Sequence, residues 1–208
     1  MPLSSSPDTG MNTNPYTALE NLAARSLETC LQRISRVSAG TWKVLEVKAG
    51  SGTLETALKL HAYKGTAAAV YFNLKDIAPL TAVMLFEPAD LECISKGFTG
   101  HSFPRSGAIT MAEEVMLTEL ANIVLNALIN APLNALKKSF MPAVPLFVQG
   151  DLQRLALELG RVTGPGTNFK IIAASISVQS GNCASRTEVF TLLPEELAQA
   201  LERIQPSA

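Results

Sequence analysis

Apolar and polar positions along this chain follow two periods, and the switches between them mark its elements. Residues 17–37, TALENLAARSLETCLQRISRV, put Leu19, Leu22, Ala23, Leu27, Cys30, Leu31 and Ile34 on one stripe and predict a long helix. Residues 41–49, TWKVLEVKA, alternate with period two and predict a strand that ends at the turn-forming AGSG. Two further strands are expected, one over 53–75 with a break near Gly65 and one over 81–87. A short helix, PADLECIS, follows, with Pro88 in its first turn and Gly97 just past its end.

The second half opens with another helix. Thr110 and Glu113 have capping-box spacing, which starts that helix at Met111. Beyond it VPLFVQG reads as a strand, whereas LQRLALELGRV fits either a helix or a strand. NFKIIAASISVQSG and TEVFTLL form a strand pair joined around Gly181-Asn182. In PEELAQALERI, Pro194 opens a last helix whose Glu195 and Glu196 favour its positive end. The segments VMLFEPADLECI and VFTLLPEELAQAL match in order and type, a weak repeat with a period of about 100 residues. The expected fold is α+β: duplicated half-domains (about 17–100 and 108–204) related by a pseudo-twofold, with two long helices packed on a shared antiparallel sheet.

Composition narrows the function. Hydrophobic residues make up 47% of the 208 and charged residues only 17%, so much surface must be buried inside the chain or in an oligomer contact. Net charge is −1 and no basic run is longer than Lys137-Lys138, which argues against nucleic-acid binding. Cys30, Cys93 and Cys183 are odd in number, far apart and without CxxC spacing, and read as reduced thiols. With only His61 and His101 as histidines, neither a zinc site nor a Ser-His-Asp triad is expected. Residues 1–15 read as a flexible tail and not a signal peptide, leaving one domain over 16–208. No uninterrupted apolar run reaches membrane-spanning length, so no membrane insertion and a cytoplasmic location are expected. The GRVTGPGTN stretch lacks a following Lys-Ser/Thr and reads as a turn. Trp42, Phe72, Phe86 and Phe190 read as core or sheet-face residues.

The helix from Met111 carries Asn122, Asn126, Asn130 and Asn134, four residues apart each time, with Glu119 before them. At about 100° per residue, Leu117, Leu120, Ala121, Val124 and Leu128 gather on a core-facing side. Glu119, Asn122, Asn126 and Asn130 gather opposite. Glu119 and Asn122, three apart, are neighbours on that face. Any amphipathic surface helix has a polar stripe, but a merely solvated one favours Glu, Lys, Arg or Gln over Asn. Asn130 precedes Pro132, where a kink or restart is expected. Asn134 has drifted about 120° from Asn122 and reads as simply exposed.

Glu119-Leu-Ala-Asn122, followed after residues 123–144 by Pro145, resembles the phosphatase signature of the CheC, CheX and FliY family. Members of that family dephosphorylate the chemotaxis response regulator CheY. The closing VFTLLPEELAQALERI is similar to the family's last strand and helix. The resemblance spans roughly 17–204 and is specific mainly over 110–145 and that last unit. It implies that Asn122 enters the active site of a phosphorylated CheY-like receiver and orients water, while Glu119 pairs with the receiver's lysine. It further implies that Asn126 lines the same contact surface and that Pro145 starts the following strand. No cofactor of the chain's own is implied; the Mg²⁺ belongs to the receiver. Two departures stand out. Val115 occupies the position where the family has Asp or Ser, and Glu114 cannot replace it because one residue turns the side chain by about 100°. In the first helix Glu20 is followed at +3 by Ala23 and Glu28 by Leu31, so that helix has no ExxN. One motif per chain is the CheX pattern, which implies a homodimer. The alternative reading is a non-catalytic CheC-like module that docks on a receiver, a flagellar switch component or a chemoreceptor-modifying protein. A third is an unrelated α+β interaction domain whose ExxN is coincidental.

Overall fold

The structure, a computed structural model, describes residues 17–61, 65–74, 80–103, 108–138 and 144–204. The tail expected over 1–15 lies outside them. In chain order the elements are α1 (Thr17–Val37), β1 (Thr41–Gly52), α2 (Leu54–Lys59), β2 (Ala67–Leu74), β3 (Leu80–Phe86) and α3 (Leu91–Thr99). The second half repeats the order with α4 (Met111–Ala135), β4 (Leu146–Gly150), α5 (Leu152–Thr163), β5 (Phe169–Ser180), β6 (Cys183–Leu193) and α6 (Glu195–Ile204).

The six strands form one antiparallel sheet in the order β1-β5-β6-β3-β2-β4. Exchanging each strand for its counterpart in the other half reverses that order and changes nothing else. This is the pseudo-twofold that the weak repeat implied. The two halves also interlock, because β1 pairs only with β5 and β4 only with β2.

The sheet is covered on both faces. Ala68, Val70 and Phe72 of β2, with Ala82, Met84 and Phe86 of β3, pack with Leu27, Leu31, Leu117, Leu120 and Val124 of the two long helices. Leu91, Ile94, Leu197 and Leu201 of α3 and α6 complete that layer. The alternate residues Ala67, Ala69, Tyr71, Val83 and Leu85 meet Leu54, Ala57, Leu58, Leu155 and Leu159 of α2 and α5. Strands buried on both faces have no polar side, hence the near-continuous apolar runs of β2 and β3.

Four expectations change. β1 does not end at AGSG but runs through it to Gly52, paired with β5 up to Phe169. Residues 54–59 are a helix and not part of a strand: Leu54, Ala57 and Leu58 fall at helical spacing, and Thr53 caps the helix in a capping box with Thr56. The ambiguous LQRLALELGRV is also a helix, capped by Asp151 Oδ1 accepting from Arg154 N–H at 2.8 Å. Gly52-Thr53-Leu54 and Gly150-Asp151-Leu152 are thus a second copy of the repeat that hydropathy alone concealed. Gly97 does not end α3, which runs on to Thr99 and stops at Gly100 in the left-handed region (φ 83°). Gly97 instead lets α3 lie close against β5, since a Cβ there would lie 2.5 Å from Val178 Cγ2.

The cysteine reading also changes. Cys93 and Cys183, at the starts of α3 and β6, are joined as a disulfide with Cα atoms 5.7 Å apart across 90 residues of sequence. Spacing rules detect local thiol pairs, whereas this one is made by the fold. Cys30 remains a free, buried thiol.

Replacing Gly97 by Ala is expected to destabilise the protein by about 1–3 kcal/mol, because buried, β-branched Val178 has little room to give. That cost outweighs the roughly 0.8–1 kcal/mol alanine gains in helix propensity. Urea denaturation reads the difference. Gly50→Ala, whose Cβ would meet nothing within 4 Å, is the near-neutral control.

Candidate functional site

The orientation of α4 is set at its first turn. Glu113 Oε2 accepts from Thr110 N–H at 2.8 Å and from Thr110 Oγ1 at 2.9 Å, while Glu113 N–H donates to Thr110 Oγ1 at 3.2 Å. Glu113 is buried by this capping box. The apolar stripe of Met116, Leu117, Leu120, Ala121, Val124, Leu125 and Leu128 then faces the sheet and α1. That stripe also makes α4 long and apolar enough to cross a membrane by length and composition, although half of the relevant window is buried in this fold.

What remains outward is a ridge. Val115 is 58% exposed, Glu119 is exposed, Asn122 is half-buried and Ile123 is 43% exposed. Among the described residues none forms a hydrogen bond or ion pair with the Glu119 carboxylate. Asn122 is held from behind: Asn126 Nδ2 donates to the Asn122 backbone oxygen at 2.7 Å and to Asn122 Oδ1 at 2.8 Å. Pro145, half-buried, immediately precedes β4.

α1 lies antiparallel beside α4 at close range, which small side chains permit. Ser26 Oγ donates to the Ala127 carbonyl at 2.6 Å and Cys30 Sγ to that of Ile123 at 3.7 Å. Burial pushes the Cys30 thiol up to about 11, with Arg33 opposing it. Cys30 is therefore a protonated donor near neutral pH and not a nucleophile. Along the seam between the two helices runs a groove of about 590 Å³, lined by Arg33, Ile34, Ile123, Asn126, Asn130 and Asn134 among others.

The asparagine row therefore divides differently from the helical-wheel expectation. Asn134 is exposed, as expected, but with Asn126 and Asn130 it also lines the groove, because α1 crosses the side to which the row drifts, whereas Asn122 stands outside that lining. No restart occurs at Pro132 either: α4 continues to Ala135, with Leu136 N–H donating to the Pro132 carbonyl at 3.1 Å. Nothing in the row's own sequence marks the groove, since its other wall comes from α1.

Comparison with known proteins bears on the fold. No family model matches the sequence, and no curated protein does. Among solved structures, FliY of Thermotoga maritima superposes with a TM-score of 0.64 at 8% identity, covering 94% of this chain and 98% of that one. The chain has the CheC-like fold. The FliM middle domain of H. pylori gives a TM-score of 0.55 at 13% identity over 94% of this chain and 100% of that one. CheX of Vibrio vulnificus gives 0.51 at 14% identity over 84% and 97%.

Within this CheC-like fold the two long helices are not equivalent. Glu20 of α1 accepts from Ala49 N–H at 2.9 Å and so ties α1 to β1, while Leu31, three residues after Glu28, is core. Only α4 carries the Glu/Asn pair.

A second polar cluster lies among residues of β5, β6 and the end of α2. Ser175 Oγ donates to Glu188 Oε2 at 2.8 Å, Arg186 Nη2 donates to Ser175 Oγ at 2.5 Å, and Arg186 Nε pairs with Glu188 Oε1. His61 Nδ1 stands 3.5 Å from Glu188 Oε2, with its ring stacked on Phe190. Serine, glutamate and histidine are all present, but Ser175 and His61 both address the carboxylate, and the serine hydroxyl donates its hydrogen bond to Glu188. That is not the nucleophile–base pair of a hydrolase. Among the described residues no group of three or more His, Cys, Asp or Glu is placed to hold a metal ion.

Burial tends to raise the Glu188 pKa, but hydrogen bonds from His61, Ser175 and Arg186 outweigh it and hold the carboxyl below its ordinary value of 4.5. A depressed folded-state pKa contributes stability that is present above the unfolded value and lost as pH falls through the folded one. Glu188→Gln is thus expected to be less stable than wild type at pH 7. The gap should narrow as pH drops from about 5 through the folded pKa, measured by chemical denaturation at stepped pH.

Proposed function

We propose that this chain hydrolyses the aspartyl phosphate of a CheY-type receiver domain, using the α4 ridge. The supporting observation is that Glu119 and Asn122 stand side by side on the outward face of a helix whose other face is locked into the core. A receiver holds its own phosphoaspartate with its own Mg²⁺ and lysine, so its partner need bring neither metal nor nucleophile. Water attacks phosphorus in line, the P–O bond to the aspartyl carboxylate breaks, and the carboxylate leaves. Asn122 hydrogen-bonds that water and holds it for attack, because an amide both donates and accepts. Glu119 forms a charge-assisted pair with the receiver lysine and sets the register of docking. Pro145 starts β4 and has a structural part. With one Glu/Asn pair per chain, a homodimer would present two sites. Function on a receiver would place the protein in the cytoplasm.

The other reading, a CheC-like module that docks on a receiver or flagellar partner without catalysis, draws support from Val115. Its side chain is exposed on the ridge and apolar, where the resembling family carries Asp or Ser.

The test is the decay of a phosphorylated receiver with and without the protein. Asn122→Ala is expected to slow the accelerated decay on the order of 10²-fold, equivalent to about 2.7 kcal/mol in the barrier. Glu119→Ala should act mainly on the concentration of protein required. Decay that the wild-type protein leaves unchanged, with phospho-receiver still bound, would favour the docking module.

A further inference from the structure

We infer that Asn126 is the positioning residue for Asn122, locking its amide with the carbonyl turned in and the NH₂ turned out. The functional consequence rests on the phosphatase reading; the lock itself rests on geometry alone. One atom of the Asn126 amide lies 2.7 Å from the Asn122 backbone oxygen and 2.8 Å from the end of the Asn122 side chain. A backbone carbonyl only accepts, so the Asn126 atom must be its NH₂. An NH₂ only donates, so the Asn122 atom facing it must be Oδ1. The two hydrogens of one NH₂ serve the two acceptors: a flip of the Asn126 amide would lose both bonds, and a flip of the Asn122 amide would lose the one to its Oδ1.

An unheld asparagine is loose at its outer torsion, which is broad and roughly two-fold, so its oxygen and nitrogen exchange places readily. Asn126 removes that freedom before any partner arrives. One lone pair of Asn122 Oδ1 is occupied, the second stays open to a water hydrogen, and the NH₂ points away from Asn126 to meet an acceptor. This accounts for the repetition of asparagine four residues on. Glutamine is too long to close the same pair of bonds, and aspartate has no hydrogen to donate. The lysine and glutamate usual on solvated helix faces would leave Asn122 free.

Two variants separate this from packing. Asn126→Ala deletes the lock while improving helix propensity, so the fold is not put at risk. Asn126→Asp keeps the shape but presents oxygens, which favours an inverted Asn122 amide. In the receiver assay both are expected to lower kcat on the order of tenfold with KM nearly unchanged, and Asn126→Asp should not rescue Asn126→Ala. Independently of activity, side-chain couplings of Asn122 measured by NMR on the protein alone should report one conformer in the wild type and averaging in Asn126→Ala. Averaging already in the wild type, or unchanged couplings in Asn126→Ala, would overturn the lock. Full activity of Asn126→Ala where Asn122→Ala is slow would overturn its functional part and leave the phosphatase reading standing. If the wild type does not accelerate decay at all, the phosphatase reading fails and the couplings still decide the lock.

Discussion

The pairing of β3 with β6 at the centre of the sheet is the contact on which the rest of the structure depends. Its register runs from Thr81 opposite Leu192 to Leu85 opposite Glu188, and Thr187 Oγ1 donates to the Leu85 carbonyl at 2.7 Å beside it. Each half on its own would expose strands that are apolar on both faces. Joined here, they bury those faces under two helical layers, and the outer strands cross to the opposite half. Burial at about 25 cal/mol per Å² of apolar surface makes that shared core the main stabilising term. It can form only when both halves are present.

The ridge follows from that pairing. The pseudo-twofold sets α1 and α4 antiparallel on one sheet face, and Ser26, Cys30 and Ala127 let them approach closely enough for side-chain-to-backbone hydrogen bonds. Packing on the sheet and on α1 consumes most of the circumference of α4. What is left is a narrow outward strip, and Glu119 and Asn122 occupy it. Core and outward strip therefore share one helix, and the capping box at Thr110 fixes which residues face each way.

The duplication has been kept in architecture and lost in chemistry. Both halves retain a capped helix after their first strand and a proline after their last, since the fold needs both. Of the two long helices α4 carries the Glu/Asn pair, while in α1 the carboxylate of Glu20 accepts from Ala49 N–H of β1. Partners differ among proteins of this shape: a solved structure that resembles this chain is the FliG–FliM complex of H. pylori. A shared fold at such low identity does not by itself assign a chemistry.

Much of the design is legible from sequence where the physics is local. The Thr110/Glu113 spacing set the start of α4. Its apolar stripe set the phase, and the phase turned Glu119 and Asn122 outward, because helical periodicity is a property of the backbone alone. The resemblance of Glu119-Leu-Ala-Asn122 to a known signature had the same local character. Tertiary structure decided what depends on neighbours remote in sequence. It seated the short helix of residues 54–59 on the far sheet face, where Leu54, Ala57 and Leu58 meet α5 and the strands. It joined Cys93 to Cys183, kept Gly97 inside α3 against Val178, and turned Asn130 and Asn134 into a groove wall by bringing α1 alongside. Local periodicity reports which way a side chain points, but only the packed chain reports what it meets there.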